Sequence, residues 1–265
     1  MVCDECRLLE IDYELPYRNL ALEEALLKSC NLESFAPTLR IWFNNSSVIL
    51  GRFQNVAIEV NREVCAGEDV KIVRRFTGGG TVYHDKGNMN VTILSERPGV
   101  GFEATLTRNM SILRSTLSKL GIESIVEPPN TLLVKGDKIS GSAAAMNRDF
   151  ILWHASLMIS TDQTMLRQVL SSHETFASTS HIRSVRRPTT NLEQQLKRIV
   201  PIHEVKSKLL ESIQEELGAT FAPNCLSPSE ELALQELHEH KYSKNSWNLE
   251  GHDPVSRLTQ TTIAV

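Results

Sequence analysis

Long apolar runs are missing from this 265-residue chain: none approaches the roughly 20 residues that a membrane-spanning helix requires. Neither sign of charge dominates. Lys and Arg total 28 against 32 for Asp and Glu, and the net charge of −4 gives no case for a general nucleic-acid binder. Cysteine is sparse, odd in number and scattered: Cys3, Cys6, Cys30, Cys65 and Cys225. Cys3 and Cys6 form a C-x-x-C, but no second such pair and no His pair lies at the spacing that would complete a four-ligand zinc site. The amino terminus, MVCDECRLLEIDYEL, lacks an apolar signal core and the Arg- and Ser-rich character of a transit peptide. A cytoplasmic protein is the expectation, or a mitochondrial one if a leader has been removed. Three familiar chemistries are also missing. There is no G-x-x-x-x-G-K-[ST], no G-x-G-x-x-G opening a helix, and no nucleophile elbow or Ser-His-Asp order.

What remains is ordinary globular material, 41% hydrophobic and 23% charged, without internal repeats or a low-complexity linker. Asn19 is placed to cap a helix through ALEEALLKS, with Leu22, Ala25, Leu26 and Ser29 on one face. TLRIWF (38–43) and SVILG (47–51) read as strands joined by an Asn-Asn-Ser turn, and DVKIVRR (69–75) as a third. Met89, Val91 and Ile93 then alternate with Asn88, Asn90 and Thr92, a strand with one apolar and one polar face. Leu106, Met110, Leu113, Leu117 and Leu120 predict an amphipathic helix over 103–120, stopped by Gly121. Two short strands flank Lys135-Gly136-Asp137, and ILWHASLMIS puts Ile151, Trp153, Ala155, Leu157 and Ile159 on one face. Asp162 caps a further helix, and two more follow around 202–217 and 228–241, the last opened by Ser227-Pro228. Hairpins interrupt any strand–helix alternation, so the expected fold is α/β of the α+β kind: a mixed, largely antiparallel sheet flanked by helices.

The stretch VRRFTGGGTVYHDKGNMNVTIL (73–94) raises the functional question. Three adjacent glycines carry a backbone-entropy cost and need a reason. One reason is a hairpin turn that demands positive φ. The other is a ligand or chain that approaches the backbone too closely for a Cβ. The flanks favour an anion, since Arg74 and Arg75 can neutralise one, with His84, Asp85 and Asn88 close behind. A second candidate is GDKISGSAAA (136–145), where Lys138 lies between narrow backbone segments and could hold a phosphate or a developing negative charge. A tightly packed hairpin is the plainer reading. His154 faces away from Trp153, and either a carbonyl-bonded histidine or a catalytic one fits that position. SVRRPTTN (184–191) offers Arg186 and Arg187 to an acidic partner or to solvent.

Together RRFTGGGTVYHDKGNMN, KISGSAAAM with the following WHASLMI, and SVRRPTTNL resemble the lipoate–protein ligases of the biotin/lipoate ligase superfamily. The likeness covers nearly the whole chain, and KYSKNSWN looks like the close of the family's large catalytic domain. It implies a class II synthetase-like fold, a catalytic domain over 1–250 with 193–250 as its helical extension, and a C-terminal tail over 251–265. It also implies an ATP-dependent, AMP-forming reaction. Lipoate attacks the α-phosphate of Mg2+-bound ATP to give lipoyl-adenylate, and a lysine of a lipoyl-acceptor domain then takes the acyl group. Dehydrogenase E2 subunits and the glycine cleavage H protein are the acceptors implied. Carried over by motif, Lys138 is the catalytic residue. The binding set is Arg74, Arg75, Gly78, Gly79, Gly80, Thr81, Val82, His84, Asp85, Asn88, Asn130, Lys138, Gly141 and His154, with metal ligands unassigned.

The sequence departs from the family in two places. Thr131 follows Asn130 where an aspartate is common, and the family's C-terminal accessory domain has no counterpart after residue 250, so a separate accessory protein is expected to assist adenylation. The alternative is a lipoyl or octanoyl transferase acting from a pre-activated donor. A thioester version of it would need a cysteine near Lys138, and none lies between Cys65 and Cys225.

Overall fold

The computed structural model describes residues 6–31, 35–97, 99, 101–170 and 183–254. The chain runs β1 (Cys6–Leu9), α1 (Pro16–Lys28), β2 (Thr38–Trp42), β3 (Ser47–Leu50), α2 (Val56–Glu59), α3 (Arg62–Gly67) and β4 (Lys71–Arg74). It continues with β5 (Val82–His84), β6 (Asn88–Glu96), α4 (Phe102–Lys119), β7 (Ile125–Glu127), β8 (Thr131–Val134), β9 (Asp137–Met146) and β10 (Phe150–Met158). The last third holds α5 (Gln163–Val169), α6 (Leu192–Leu196), α7 (Ile202–Leu217), β11 (Phe221–Pro223), α8 (Pro228–Leu237) and α9 (Asn245–Asn248), with a π-helical turn between the last two.

Eight strands form one sheet in the order β11-β1-β2-β6-β10-β9-β8-β7. Only the β11-β1-β2 edge is parallel, so the sheet is mixed and largely antiparallel, as expected. Three strands form a second, smaller sheet, β4-β3-β5. The strands β2 and β3 are therefore not a hairpin. Both edges of β2 are already taken, by β1 and β6, so the chain must leave the large sheet. Asn44 turns it: its side chain is buried and bonded to Asn19.

Asn19 is likewise not the cap of α1. Pro16 opens that helix from a Leu15 N-cap, because proline at the first position has its φ preset and no N–H to leave unpaired. Asn19 lies one turn inside, fully buried, and its amide closes on the backbone of Tyr13 instead. Asp162 does cap α5, and Ser227 closes a capping box with Glu230 at the start of α8.

Two cores sandwich the large sheet. Met89, Val91, Ile93, Trp153, Ala155 and Leu157 face α4 and α7. Leu152 and Phe150, from the other face of β10, meet α1, α8 and Trp247. The polar face of β6 is not solvated: Asn88, Asn90 and Thr92 are all buried. Alternation there separates a hydrophobic core from the wall of a cavity.

Candidate active site

The glycine run lies between the two sheets, beside a cavity of about 360 Å³. Arg75, the residue after β4, organises it. Its guanidinium donates to the carbonyls of Gly78 at 2.6 Å and Gly80 at 2.7 Å, and to Ile49 at 3.1 Å. Gly79 has φ +88°, and a Cβ on it would sit 2.9 Å from that guanidinium. Gly51 presses against the Gly79 carbonyl oxygen so closely that no side chain fits there either. The crowding that forbids a Cβ in mid-run therefore comes from Arg75 and Gly51. Burial and the neighbouring charge of Arg74 push the Arg75 pKa down to about 10, which leaves it cationic at neutral pH.

Lys138 enters from β9 on the opposite wall. Its amine rests over Gly141, where a Cβ would lie 2.7 Å from Nζ and displace it. Burial lowers its pKa first, and the charges of Arg75 and Arg187 lower it further. The charged groups that act on it are cations, and Arg183 and Arg187 line the same cavity. The carboxylate among the lining residues, Glu127, pairs with Arg187 at 2.7 Å. A wall of that charge suits an anion.

Beneath the glycine run lies a buried relay. Arg40 pairs with Glu23 at 2.7 Å, both fully buried. His154 Nδ1 donates to the other oxygen of Glu23 at 3.1 Å, and His154 Nε2 lies 2.9 Å from Thr77 Oγ1. Thr77 in turn accepts from Arg75 Nε at 3.0 Å. Burial alone would raise the Glu23 pKa, but the hydrogen bond from His154 and the charge of Arg40 outweigh it and hold the carboxyl low. His84 is the reverse case. Burial, Arg75 and His154 push it down to about 3, so it is neutral. The Asn44 amide donates to its Nδ1 at 3.1 Å, which fixes the tautomer with a proton on Nε2. His84 lines the cavity with Leu20, Trp42 and Ile49, its ring edge-on to that of Trp42.

A second cavity of about 280 Å³ adjoins the first and shares Thr81, Val82, Lys138 and Gly141 with it. Asn88 lines it, and Asn88 Oδ1 has no hydrogen-bond partner although buried. Asn90 Nδ2 and Ser142 Oγ are equally unpartnered at the first cavity.

Of the residues singled out in the sequence, Arg75, Gly79, Gly80, Thr81, Val82, His84, Asn130, Lys138, Gly141 and His154 line one cavity, and Asn88 lines its neighbour. Three do not join them. The guanidinium of Arg74 is spent on the carbonyls of Gly51, Arg52, Gln54, Trp247 and Leu249. Gly78 contributes its carbonyl to Arg75 but lines neither cavity. Asp85 accepts from the backbone N–H groups of Gly87 and Asp162, and so braces the turn at 160–162. Among the described residues no group of three His, Cys, Asp or Glu side chains is placed to hold a metal. None of the described cysteines lines either cavity, and burial pushes the Cys30 and Cys65 thiols up to about 12 and about 11, away from thiolate. Cys3 and the tail beyond residue 254 lie outside the described residues, and among the described residues no helix is long and apolar enough to cross a membrane. Glu23, Arg40, Gln54, Thr77, Asn90 and Ser184 are functional neighbours that motif reading passed over. Charge at a strand centre (Arg40 in TLRIW) and a doubled glutamate on an apolar helix were the available signals.

Residues 15–214 match the lipoyl protein ligase A/B catalytic domain. The lipoate-protein ligase A subunit 1 of Thermoplasma acidophilum is 31% identical over 242 residues, covering 87% of this chain and 91% of that one. Two structures from the same organism, one with bound lipoic acid and one of a bi-partite ligase with its E2 lipoyl domain, are each 27% identical. They superpose at TM-scores of 0.82 and 0.84, covering 93% and 94% of this chain and 99% and 98% of theirs. A lipoate-protein ligase A bound with ATP gives a TM-score of 0.83 at 28% identity, over 94% of this chain and all 100% of that one. With this cavity, this sheet order and these likenesses together, the chain belongs to the lipoyl protein ligase A/B catalytic domain family.

Proposed function

We propose that this chain joins lipoate to a lysine of a lipoyl-acceptor domain in two ATP-dependent steps. A lipoate carboxylate oxygen attacks the α-phosphorus of ATP, the bond to the pyrophosphate oxygen breaks, and lipoyl-adenylate forms. The unprotonated acceptor amine then attacks the acyl carbon, AMP leaves with the electron pair of the anhydride oxygen, and the amine loses its extra proton to solvent. The apolar lining from Leu20, Trp42 and Ile49 suits the acyl tail, and the adjoining cavity with Asn88 suits the nucleotide. Magnesium would arrive with ATP, held by its phosphates, since Asp85 is committed to backbone N–H groups. The residues' contribution is positioning and charge. Lys138, Arg75, Arg183 and Arg187 line one cavity, where they would offset the charge of the phosphate and of the acyl oxygen.

The observation that carries this reading is the Lys138 amine, pressed over Gly141 and surrounded by other cations. We take residues 1–250 as the catalytic unit, because Trp247 and Leu249 hold Arg74. A bi-partite relative supports a second expectation, that a separate partner assists adenylation. Both are tested by incubating the full chain with an acceptor lipoyl domain and lipoate, with ATP or with supplied lipoyl-adenylate, and weighing the acceptor. An acceptor gaining one lipoyl group in the ATP arm supports the ligase. Gain only from lipoyl-adenylate supports the partner, and no gain in either arm contradicts the reading.

A further inference from the structure

Residues 183–187 cross the mouth of the cavity with almost nothing holding them by burial. Arg183, Arg186 and Arg187 are exposed, and Val185 is 77% exposed. The tie between Arg187 and Glu127 joins two partly exposed side chains, a class of ion pair that contributes little. The residue that turns inward is Ser184, and its N–H and hydroxyl are both engaged. Its N–H donates to Glu59 Oε1 at 2.9 Å and its hydroxyl donates to Gln54 Oε1 at 2.9 Å. The same hydroxyl accepts from the Thr81 N–H at 2.8 Å, and Thr81 Oγ1 joins it on Gln54 Oε1 at 2.7 Å. Gly80 is glycine at this contact for a reason: a Cβ there would lie 3.0 Å from Ser184 Oγ.

We propose that Ser184 is a positioning residue whose hydroxyl latches the 183–187 strap onto the glycine run, and so holds Arg183 and Arg187 over the site of the ATP phosphates. The inference rests on the functional reading above for the identity of the nucleotide. The strap then leads into Pro188 and Thr190, whose backbones bond the N–H and carbonyl of Lys138 at 2.9 and 3.0 Å. One hydroxyl thus ties the two cations, the glycine run and the approach to Lys138 into one rim.

The test compares wild type, Ser184→Ala, Ser184→Thr and Gln54→Leu in the full chain by three readouts: ATP KM with lipoate KM, melting temperature, and hydrogen exchange of the 78–82 backbone. Ser184→Ala should raise the ATP KM about five- to tenfold, the ratio that one lost hydrogen bond of ordinary net worth gives. The lipoate KM and the melting temperature should hold, and exchange at 78–82 should quicken. Ser184→Thr, which keeps the hydroxyl, should restore the ATP KM, and Gln54→Leu should reproduce the loss. An ATP KM for Ser184→Ala within about twofold of wild type, with unchanged exchange, overturns the latch. So does a lower one, which would mean that the hydroxyl occupies a place the nucleotide needs. Should wild type modify the acceptor neither with ATP and lipoate nor with supplied lipoyl-adenylate, the functional reading falls, and exchange at 78–82 still decides the latch.

Discussion

Glu23 shows how a single buried charge can govern the site. It is enclosed by Arg40, His154 and Thr92, so removing its charge strands Arg40 in the interior. Breaking such a pair from one side costs about 3–5 kcal/mol, and we expect Glu23→Gln to lower the urea unfolding free energy by that order. The same groups set the response to acid. Burial pushes His84 down to about 3 against 6.5 ordinarily, so between those values the unfolded chain binds more protons and stability is lost as the pH is lowered. The lowered Glu23 adds a further loss as pH drops below its ordinary 4.5. Urea titrations from pH 7 to pH 4 should show steady weakening, and the part above pH 4.5 should shrink in His84→Asn. A flat profile would mean that neither group is held as described. Gly79→Val belongs to this scale too. A non-glycine residue at φ +88° carries strain of about 1–3 kcal/mol, and the side chain meets the Arg75 guanidinium. Lipoyl-adenylate titrated into this variant by calorimetry should bind at least about tenfold more weakly; unchanged affinity would return the glycine to an ordinary turn.

Elements bring these residues together, and the site depends on one far from it in sequence. Trp247 on α9 is fully buried, and its indole N–H donates to the Arg74 carbonyl at 2.8 Å. Lys241, paired with Glu24 and Asp253, lies 3.9 Å over the same ring. Trp247→Ala should cost about 3–5 kcal/mol and, by freeing Arg74 and the 51–54 loop, weaken ATP binding at a temperature where the fold persists. Thermal melts with ATP titrations check this, and full ATP affinity in the variant would uncouple α9 from the site. Elements with strong local signals were legible in the sequence: α4 from its apolar spacing, the Lys135-Gly136 turn from its chemistry, α5 from Asp162. The strands β1 and β11 were not, because four and three residues carry no periodicity and their parallel pairing is set by the rest of the sheet. In the site, Lys138 and the glycine run stood out by composition. The contact from Ser184 to Thr81 spans 103 positions and that from His154 to Glu23 spans 131, so no local pattern announces them. One distinction was available. Neighbours along an extended chain point to opposite sides, so Arg74 and Arg75 could not both face the cavity.

At the scale of the whole molecule, two sheets and the segments joining them border a cavity lined by apolar side chains and by cations. In the proposed acyl transfer the developing negative charge would lie among these cations, with Lys138 as its donor. Among the described residues, the charged groups that act on the Lys138 amine are cations, so no ion pair depends on it there. Its loss should therefore leave stability untouched and remove transfer. The direct test is the rate at which supplied lipoyl-adenylate modifies an acceptor lipoyl domain, followed by intact mass, for wild type and Lys138→Ala with equal melting temperatures. A rate lower by about a hundredfold or more is predicted, the usual loss for one such donor. A Lys138→Ala rate within about twofold of wild type would contradict the account.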